Sequence, residues 1–216
     1  MDSTTFRLFM ASAAAGGDPE PVIGEPYQGG YFVGYISYNE DGVATHGLVV
    51  AEKAAESDQL LMFSATTVNA YDKADGLANS NAMAAMGGPA ASYCLSYSND
   101  GFNDWYLPAK NELEIAYYNL KPSTDANIGS SGSNPNAVPP RNSNYTSSDP
   151  SQTSVDQFQT GKDQAFSVDS STYRYWTSTS LAGSGDAKGI RFSDGRAVDN
   201  GRTTTRRVRP FRKFAL

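Results

Sequence analysis

The sequence has little of several residue types on which familiar protein chemistry depends. Among 216 residues there are one cysteine and one histidine, and 17 lysines and arginines stand against 23 aspartates and glutamates, a net charge of −6. One cysteine excludes an intrachain disulfide framework and a cysteine-cluster zinc site, and one histidine excludes a multi-histidine metal site. The acidic balance argues against a general nucleic-acid binder. No apolar run approaches the roughly 18 residues of a membrane span. We therefore expect no nucleic-acid partner, no membrane span, no cofactor and no metal.

Residues 1–30 predict an extended N-terminal arm. They are rich in glycine and proline from position 16 onward, a composition typical of turns and extended backbone. Arg7 and the alanine-rich stretch after it resemble a signal peptide, but Asp2 and the short apolar core argue against one, so secretion stays the alternative. An apolar patch on the arm would be exposed on a monomer, and we expect it to insert beside another chain; it consists of Phe6, Leu8, Phe9 and Met10.

Residues 31–216 predict one α+β domain. The aromatic and β-branched runs at 31–38 and 43–51 predict a β-hairpin that enters it, within residues 31–66. Residues 122–156 contain five of the 11 prolines and are otherwise mostly Ser, Asn, Thr and Gly, which predicts a long surface loop inserted in the domain. Apolar spacing predicts helices at 72–86, at 91–97 and from 109 to 120. Further short strands are predicted at 60–63, 165–168, 173–178, 189–192, 197–198 and 208–211.

The third predicted helix is the clearest. Leu113, Ala116, Tyr117 and Leu120 recur at helical spacing on one face, and Lys121-Pro122 ends the pattern. Glu112 and Glu114 near its start suit the helix dipole. Further on, Asp194-Gly195 predicts a hairpin turn.

The single histidine and the single cysteine are interpreted as structural. His46 has no neighbouring nucleophile motif, and a catalytic base needs one within hydrogen-bond reach. Cys94 lies among small and aromatic residues, without the cationic surroundings that a reactive thiolate needs. Acidic and amide residues in the late turns could bind Ca²⁺, but their spacing fits no calcium loop and turn chemistry explains them better; they are Asp186, Asp194, Asp199 and Asn200.

Six cationic residues crowd the last 15 positions of this acidic chain, namely Arg202, Arg206, Arg207, Arg209, Arg212 and Lys213. One interpretation is internal: a basic strand packs on acidic neighbours or on another subunit. The other is recognition of an anionic surface such as an acidic polysaccharide, through bidentate arginine contacts. We favour the internal interpretation.

Thirteen tyrosines occur with abundant serine, glycine and asparagine, a composition typical of an adaptable binding surface. Tyr117 belongs to the buried helix face, whereas Tyr145 in the long loop and Tyr173 beside Arg174 are expected to be exposed.

The most specific motifs lie in the second half of the chain. They are Asp104-Trp105-Tyr106-Leu107-Pro108 followed by Glu112-Leu113, then Tyr175-Trp176-Thr177-Ser178, Arg191-Phe192-Ser193-Asp194-Gly195 and Arg207-Val208-Arg209-Pro210. This combination resembles the Lcl C-terminal or DUF1566 family over residues 70–213. The resemblance implies a C-type-lectin-like fold, with two main helices, short antiparallel strands and long loops, used mostly for adhesion and display. It makes Trp105, Leu107, Leu113 and Trp176 core residues.

Some properties of related proteins do not carry over. The Glu-Pro-Asn and Trp-Asn-Asp signatures of calcium lectins are missing, and so are the paired cysteines of the formylglycine-generating enzymes that share this fold. The stretch 29–51 is similar to regions that accompany such domains in tail-fibre and related virion proteins of marine and cyanobacterial phages. Together the resemblances imply a non-enzymatic virion protein, a tail or fibre adhesin with a lectin-like head.

Three alternatives remain open from the sequence. The protein could instead be a structural decoration or assembly protein of the virion, or, with less weight, an enzyme of the formylglycine-generating type or a glycan hydrolase. A secreted or cell-surface location is the alternative to the virion. The expected partners are sister subunits in a homo-oligomer or other virion proteins through the arm, and a host-surface glycan or protein through the head.

The late strands and their loops are the predicted ligand surface. In a lectin-like fold variable contacts come from loops, and this region mixes aromatic, carboxylate and guanidinium groups that suit a polar ligand. A subunit contact through the same face is the alternative. The predicted residues are Tyr173, Arg174, Ser184, Asp186, Arg196, Asp199, Asn200 and Arg202.

Overall fold

A computed structural model describes residues 20–62, 68–168 and 174–216, and these form a mixed α+β fold with three α-helices and two β-sheets. The α+β prediction is confirmed. The helices are α1 (Gly76–Ala85), α2 (Pro89–Ser96) and α3 (Lys110–Leu120). The strands are β1 (Pro26–Tyr27), β2 (Gly30–Ile36), β3 (His46–Val50), β4 (Ser57–Leu60), β5 (Tyr175–Ser180), β6 (Asp186–Ile190), β7 (Ala197–Gly201), β8 (Thr205–Val208) and β9 (Phe211–Ala215).

The first sheet has the strand order β1-β2-β3-β9 and is antiparallel throughout. Its centre is the predicted hairpin, in which Tyr31 pairs with Val50 and Ile36 with His46. The last strand, β9, pairs with β3 along its whole length, so the two ends of the domain meet in one sheet. Val33, Ile36 and Val50 face the main core.

The second sheet has the strand order β4-β8-β5-β6-β7. The predicted hairpin around Asp194-Gly195 joins β6 to β7, which pair from Ile190 with Ala197 to Asp186 with Gly201. Strand β8 lies between β4 and β5 and runs parallel to β5, with Tyr175 opposite Arg207. The terminal strand predicted at 208–211 is therefore wrong: the chain changes sheets there, from β8 to β9.

Helix α3 packs against β2 and the second sheet and carries the predicted buried face. Ala109, before its first residue, has no side-chain acceptor, and Glu112 instead accepts the Ala109 N–H at 2.7 Å. Both Glu112 and Glu114 are buried. Glu112 lies in the first turn, as predicted, and the start of the helix lies inside the molecule.

Helices α1 and α2 form where the apolar spacing predicts them. Met83 is buried in a second core cluster beside β5, whereas Met86, which follows the last residue of α1, is 53% exposed. The difference follows from the helix end, because α1 stops at Ala85 and Gly87 adopts a positive φ of 76°.

The long loop at 122–156 has no helix or strand, yet much of it is buried. Asn111 on α3 donates to Asn136 Oδ1 at 2.6 Å, Asn134 donates to the Asn111 carbonyl at 2.9 Å, and Asn136 donates to the Ser37 carbonyl at 2.9 Å. Tyr145 is also buried, with its ring 5.4 Å from that of Tyr117, so its predicted exposure is wrong. Side-chain amides thus hold this segment against α3 and the residue after β2 without regular secondary structure.

Two predicted strands shift or fail to form. The strand expected at 60–63 is β4, which ends at Leu60, and Phe63 lies outside the described residues. Residues 165–168 form no strand, although Phe166 is buried with its ring stacked 4.0 Å from that of Phe192. The apolar alternation at residues 165–168 therefore reflects burial of side chains rather than pairing in a sheet.

The core residues implied by the family resemblance are buried: Trp105, Leu107, Leu113 and Trp176. The described part of the predicted arm, residues 20–30, already joins the first sheet, because β1 pairs with β2 and Gly24 donates to the Phe32 carbonyl at 2.7 Å. The arm patch of Phe6, Leu8, Phe9 and Met10 lies outside the described residues. Within the described ranges, no helix has the length and apolar character to cross a bilayer.

Candidate functional site

The predicted ligand residues divide between the two ends of the β6–β7 hairpin. Tyr173 lies outside the described residues. Arg174 and Arg196 lie at the end where β6 leaves the sheet, whereas Ser184, Asp186 and Arg202 lie at the other end. The two ends are separated by the length of a five-residue strand, about 16 Å. The seven described residues therefore do not form one surface.

The Arg202 end is a structural feature. Arg202 is fully buried, and its guanidinium donates to the carbonyls of Asp186 at 3.1 Å, Ser184 at 3.0 Å and Leu181 at 3.3 Å. These bonds hold the turn between β5 and β6 closed. Its assignment as a ligand contact is corrected, because a buried guanidinium with this set of acceptors stabilises the fold.

Asp199 is exposed but already paired. Its carboxylate contacts Lys188 Nζ at 2.5 Å across the β6–β7 pair. Asn200 is buried, and its side chain accepts a hydrogen bond from Arg174 Nη1 at 2.6 Å. Of Asp199 and Asn200, only Asn200 contacts Arg174.

At the other end, four arginines occupy one row across four adjacent strands. Tyr175 lies opposite both Arg207 and Ile190, so the residues just outside these pairs also face one another. Backbone bonds confirm the alignment, since Arg207 N–H donates to the Arg174 carbonyl and Arg191 N–H to the Arg196 carbonyl. Opposed residues share a face of the sheet. We name these residues the arginine row, in spatial order Arg206, Arg174, Arg191 and Arg196.

The arginine row carries excess positive charge. Arg191 forms a bidentate ion pair with Asp194, with Nε 2.7 Å from Oδ1 and Nη2 also in contact. Among the described residues this is the one ion pair that the row forms. Arg196 is exposed, and Arg174 and Arg206 are half-buried. Three guanidinium groups are thus without a carboxylate within the described chain.

Two buried donors in the row have no acceptor. The Nε atoms of Arg174 and Arg206 are inaccessible to solvent and bond to none of the described residues. Burial, followed by the charges of Arg206, Arg191 and Arg196, lowers the pKa of Arg174. An unpaired buried donor costs about 1–3 kcal/mol. An anion seated on the row would supply the missing negative charge.

Gly189 makes room beneath the row. A Cβ at this position would lie 2.9 Å from Asn200 Nδ2 and 3.2 Å from the Tyr175 carbonyl. The absence of a side chain lets the Asn200 amide lie close to Gly189 and reach Arg174.

Sequence reasoning found half of this row. Arg174 and Arg196 were predicted, Arg206 was placed only in the cationic run, and Arg191 was missed. The sequence does contain a pattern that indicates Arg191. It and Arg196 flank the predicted hairpin turn, and residues that flank such a turn lie opposite each other. No local pattern indicates Arg206, because its strand, β8, pairs in parallel with β5, which is distant in sequence.

His46 and Cys94 lie away from the row. The His46 ring packs edge-on against Tyr38 at 4.9 Å, and burial lowers the pKa of its imidazole. Cys94 is fully buried in the second core cluster, and that burial raises the pKa of its thiol. Asp194 pairs with Arg191 and Asp199 with Lys188. In the described part of the chain, no three His, Cys, Asp or Glu residues are grouped so that they could hold a metal.

The sequence matches no protein-family model and no curated protein sequence.

Proposed function

We propose that this protein is a non-enzymatic recognition domain that binds an anionic host-surface glycan through the arginine row, as the C-type-lectin-like head of a virion tail or fibre adhesin. The virion setting and the lectin-like head rest on the sequence resemblances. The ligand chemistry rests on the row itself, above all on its three guanidinium groups without a carboxylate in the described chain.

Guanidinium groups favour binding over proton transfer. Arginine stays protonated at physiological pH, so it neither donates nor accepts a proton in a reaction. Its five donors instead hold carboxylate, sulfate or phosphate groups in fixed geometry. Neighbouring strands lie about 4.8 Å apart, so the backbone positions of the four arginines span about 14 Å, which suits a chain bearing several acidic groups.

The arginine row concentrates positive charge at one place on a chain whose net charge is negative. The whole chain has a net charge of −6, which repels a polyanion at long range. Screening limits that repulsion to about 8 Å at physiological ionic strength, so the nearby guanidinium groups dominate at contact.

The test is titration of the full chain with polygalacturonate, dextran sulfate and neutral dextran. We expect the two acidic polymers to bind and neutral dextran not to bind. A double variant, Arg174→Gln with Arg206→Gln, should lose at least about tenfold in affinity, because a hydrogen bond to a charged group is worth about 1.5–3 kcal/mol. Lys162→Gln, which removes an exposed cation elsewhere that pairs with Asp156, is the matched control and should stay within about twofold.

Two results would contradict the proposal: unchanged affinity of the double variant at unchanged melting temperature, or binding of neutral dextran as tight as that of the acidic polymers.

The second candidate is a structural assembly protein of the virion. It is favoured by the exposure of Val22 and Ile23, adjacent apolar residues at 63% and 38%. Exposed apolar pairs suit a contact with another chain.

A further inference from the structure

A large groove lies beside β2, toward the edge of the first sheet that is opposite strand β9. Residues 20–23 form one wall, β2 and the end of α3 form the floor, and the end of the long loop forms the other wall. Its volume is about 840 Å³. The lining side chains on which its chemistry depends are Val22, Ile23, Tyr35, Tyr118 and Asp149.

The wall at 20–23 is held in place rather than left loose. Gly24 N–H donates to the Phe32 carbonyl at 2.7 Å, and Gln157 Nε2 donates to the Gly24 carbonyl at 2.6 Å. Gly24 has a positive φ of 80°, and a Cβ there would lie 2.5 Å from Val155. The backbone is thus fixed just after Val22 and Ile23, which stay exposed at the groove.

The groove is acidic and rich in acceptors. Its charged lining residues are Glu20 and Asp149. Two lining amides use their N–H donors inside the fold, Asn119 to the Val33 carbonyl at 2.7 Å and Gln152 to the Pro122 carbonyl at 2.8 Å. Each amide uses one of its two N–H donors in this way and keeps its oxygen as an acceptor. The groove therefore fits a ligand that combines a cation with apolar groups.

We propose that the groove binds residues 6–10 of this chain, Phe6-Arg7-Leu8-Phe9-Met10. Four of these residues are apolar, and Arg7 is the only lysine or arginine before Lys53. The segment therefore matches both the exposed apolar wall and the two carboxylates. Nine residues, 11–19, separate it from Glu20 at the groove, a span of up to about 30 Å. That reach admits the groove of the same subunit and that of a neighbour.

Disulfide trapping in the full chain tests this proposal. Leu8→Cys combined with Ser151→Cys, at an exposed position on the groove wall, should crosslink rapidly under mild oxidation. A crosslinked monomer places the segment in its own groove, and a crosslinked dimer places it in a neighbour's groove. Leu8→Cys with Met86→Cys is the matched control, because Met86 is also exposed and lies outside the groove. Native Cys94 is buried and should not compete.

Charge exchange tests the role of Arg7. Arg7→Glu should slow trapping at least about tenfold, whereas Arg7→Lys should retain it and Arg7→Glu with Asp149→Lys should restore it. Ser154→Cys provides a second trapping position if the Ser151 variant does not fold. Trapping at Met86 as fast as at Ser151, or a rate that is insensitive to the charge at Arg7, would overturn the proposal. Both readouts are independent of any glycan and so of the proposed function.

Discussion

Glu112 is a buried carboxyl held in a cage of donors at the start of α3. Its Oε1 accepts from Tyr106 at 2.7 Å and from Tyr38 at 3.1 Å, and its Oε2 accepts the Ala109 N–H at 2.7 Å. Burial outweighs these donors and raises the pKa of Glu112 to about 7. The Glu112 side chain thus accepts the Ala109 N–H that no cap at Ala109 could satisfy. Its raised pKa also makes the free energy of unfolding depend on pH.

We predict that this dependence makes the fold less stable as the pH rises. The folded state holds the Glu112 proton more tightly than the unfolded state, because the pKa is about 7 instead of 4.5. The contribution is full below pH 4.5 and is lost as the pH passes through 7, a change of about 3 kcal/mol. In urea unfolding from pH 4.5 to 8, Glu112→Gln should lack this slope. Glu25→Gln, at an exposed position, is the control and should keep it; a wild-type slope in Glu112→Gln would contradict the prediction.

The sequence could place Glu112 in the first turn of a helix but could not show its burial. Tyr38, which contacts its carboxylate, is 74 positions away in sequence, and Tyr106 precedes the helix. The same holds for Tyr145, whose loop composition predicts exposure, while its ring packs on Tyr117. Local composition identifies a residue's chemistry; long-range packing decides its environment.

Among the secondary-structure elements, Glu56 connects β4, β5 and β8. It accepts hydrogen bonds from Lys53 at 2.8 Å, from Tyr175 at 2.5 Å and from Arg207 at 2.8 Å. Burial pushes the pKa of this carboxyl up, but the bonds from Lys53 and Tyr175 outweigh it and keep the pKa below its ordinary value. The carboxylate is therefore stabilising in its charged form.

We predict that Glu56→Gln lowers the free energy of unfolding by about 1.5–3 kcal/mol at neutral pH, because the half-buried Lys53 and Arg207 lose their hydrogen bonds to a charged acceptor. The wild-type contribution is present above the ordinary pKa of 4.5 and is lost as the pH falls through the lower folded value. The variant should therefore converge with the wild type in acid. Asp58→Asn, which removes a half-exposed carboxylate 3.8 Å from Arg207, is the control and should cost less than about 1 kcal/mol. Equal losses in both variants would refute the role of Glu56.

Elements with local signals were predicted, and those that depend on distant pairing were not. The three helices and the β2–β3 and β6–β7 hairpins follow from periodicity and turn residues within single segments. The place of β8 between β4 and β5 does not, because parallel pairing with β5 joins segments about 30 residues apart. The arginine row needs that pairing, which is why the sequence yielded only part of the candidate site.

At the scale of the whole molecule, the two sheets are connected at Arg209-Pro210, where the chain passes from β8 to β9. Arg209 is buried and donates to the Ala51 carbonyl at 2.7 Å and to the Gln164 carbonyl at 2.9 Å. Its guanidinium also lies 4.8 Å from the centre of the Phe166 ring. One side chain therefore bonds to the residue after β3 and to the segment before β5, and the internal interpretation of the basic C-terminus is confirmed for it.

Because of this connection, we predict that the two sheets unfold as one cooperative unit. Trp105 packs beside the first sheet and Trp176 lies in the second, so the single-tryptophan variants Trp176→Phe and Trp105→Phe each report one sheet by fluorescence. Within each variant, the fluorescence midpoint in urea should coincide with that measured by circular dichroism. Arg209→Met should lower the free energy of unfolding by about 3 kcal/mol in both, because buried carbonyls lose a charged donor. Lys162→Gln, at an exposed cation, is the control. Separate midpoints, or a loss at one tryptophan alone, would show that the sheets are independent units.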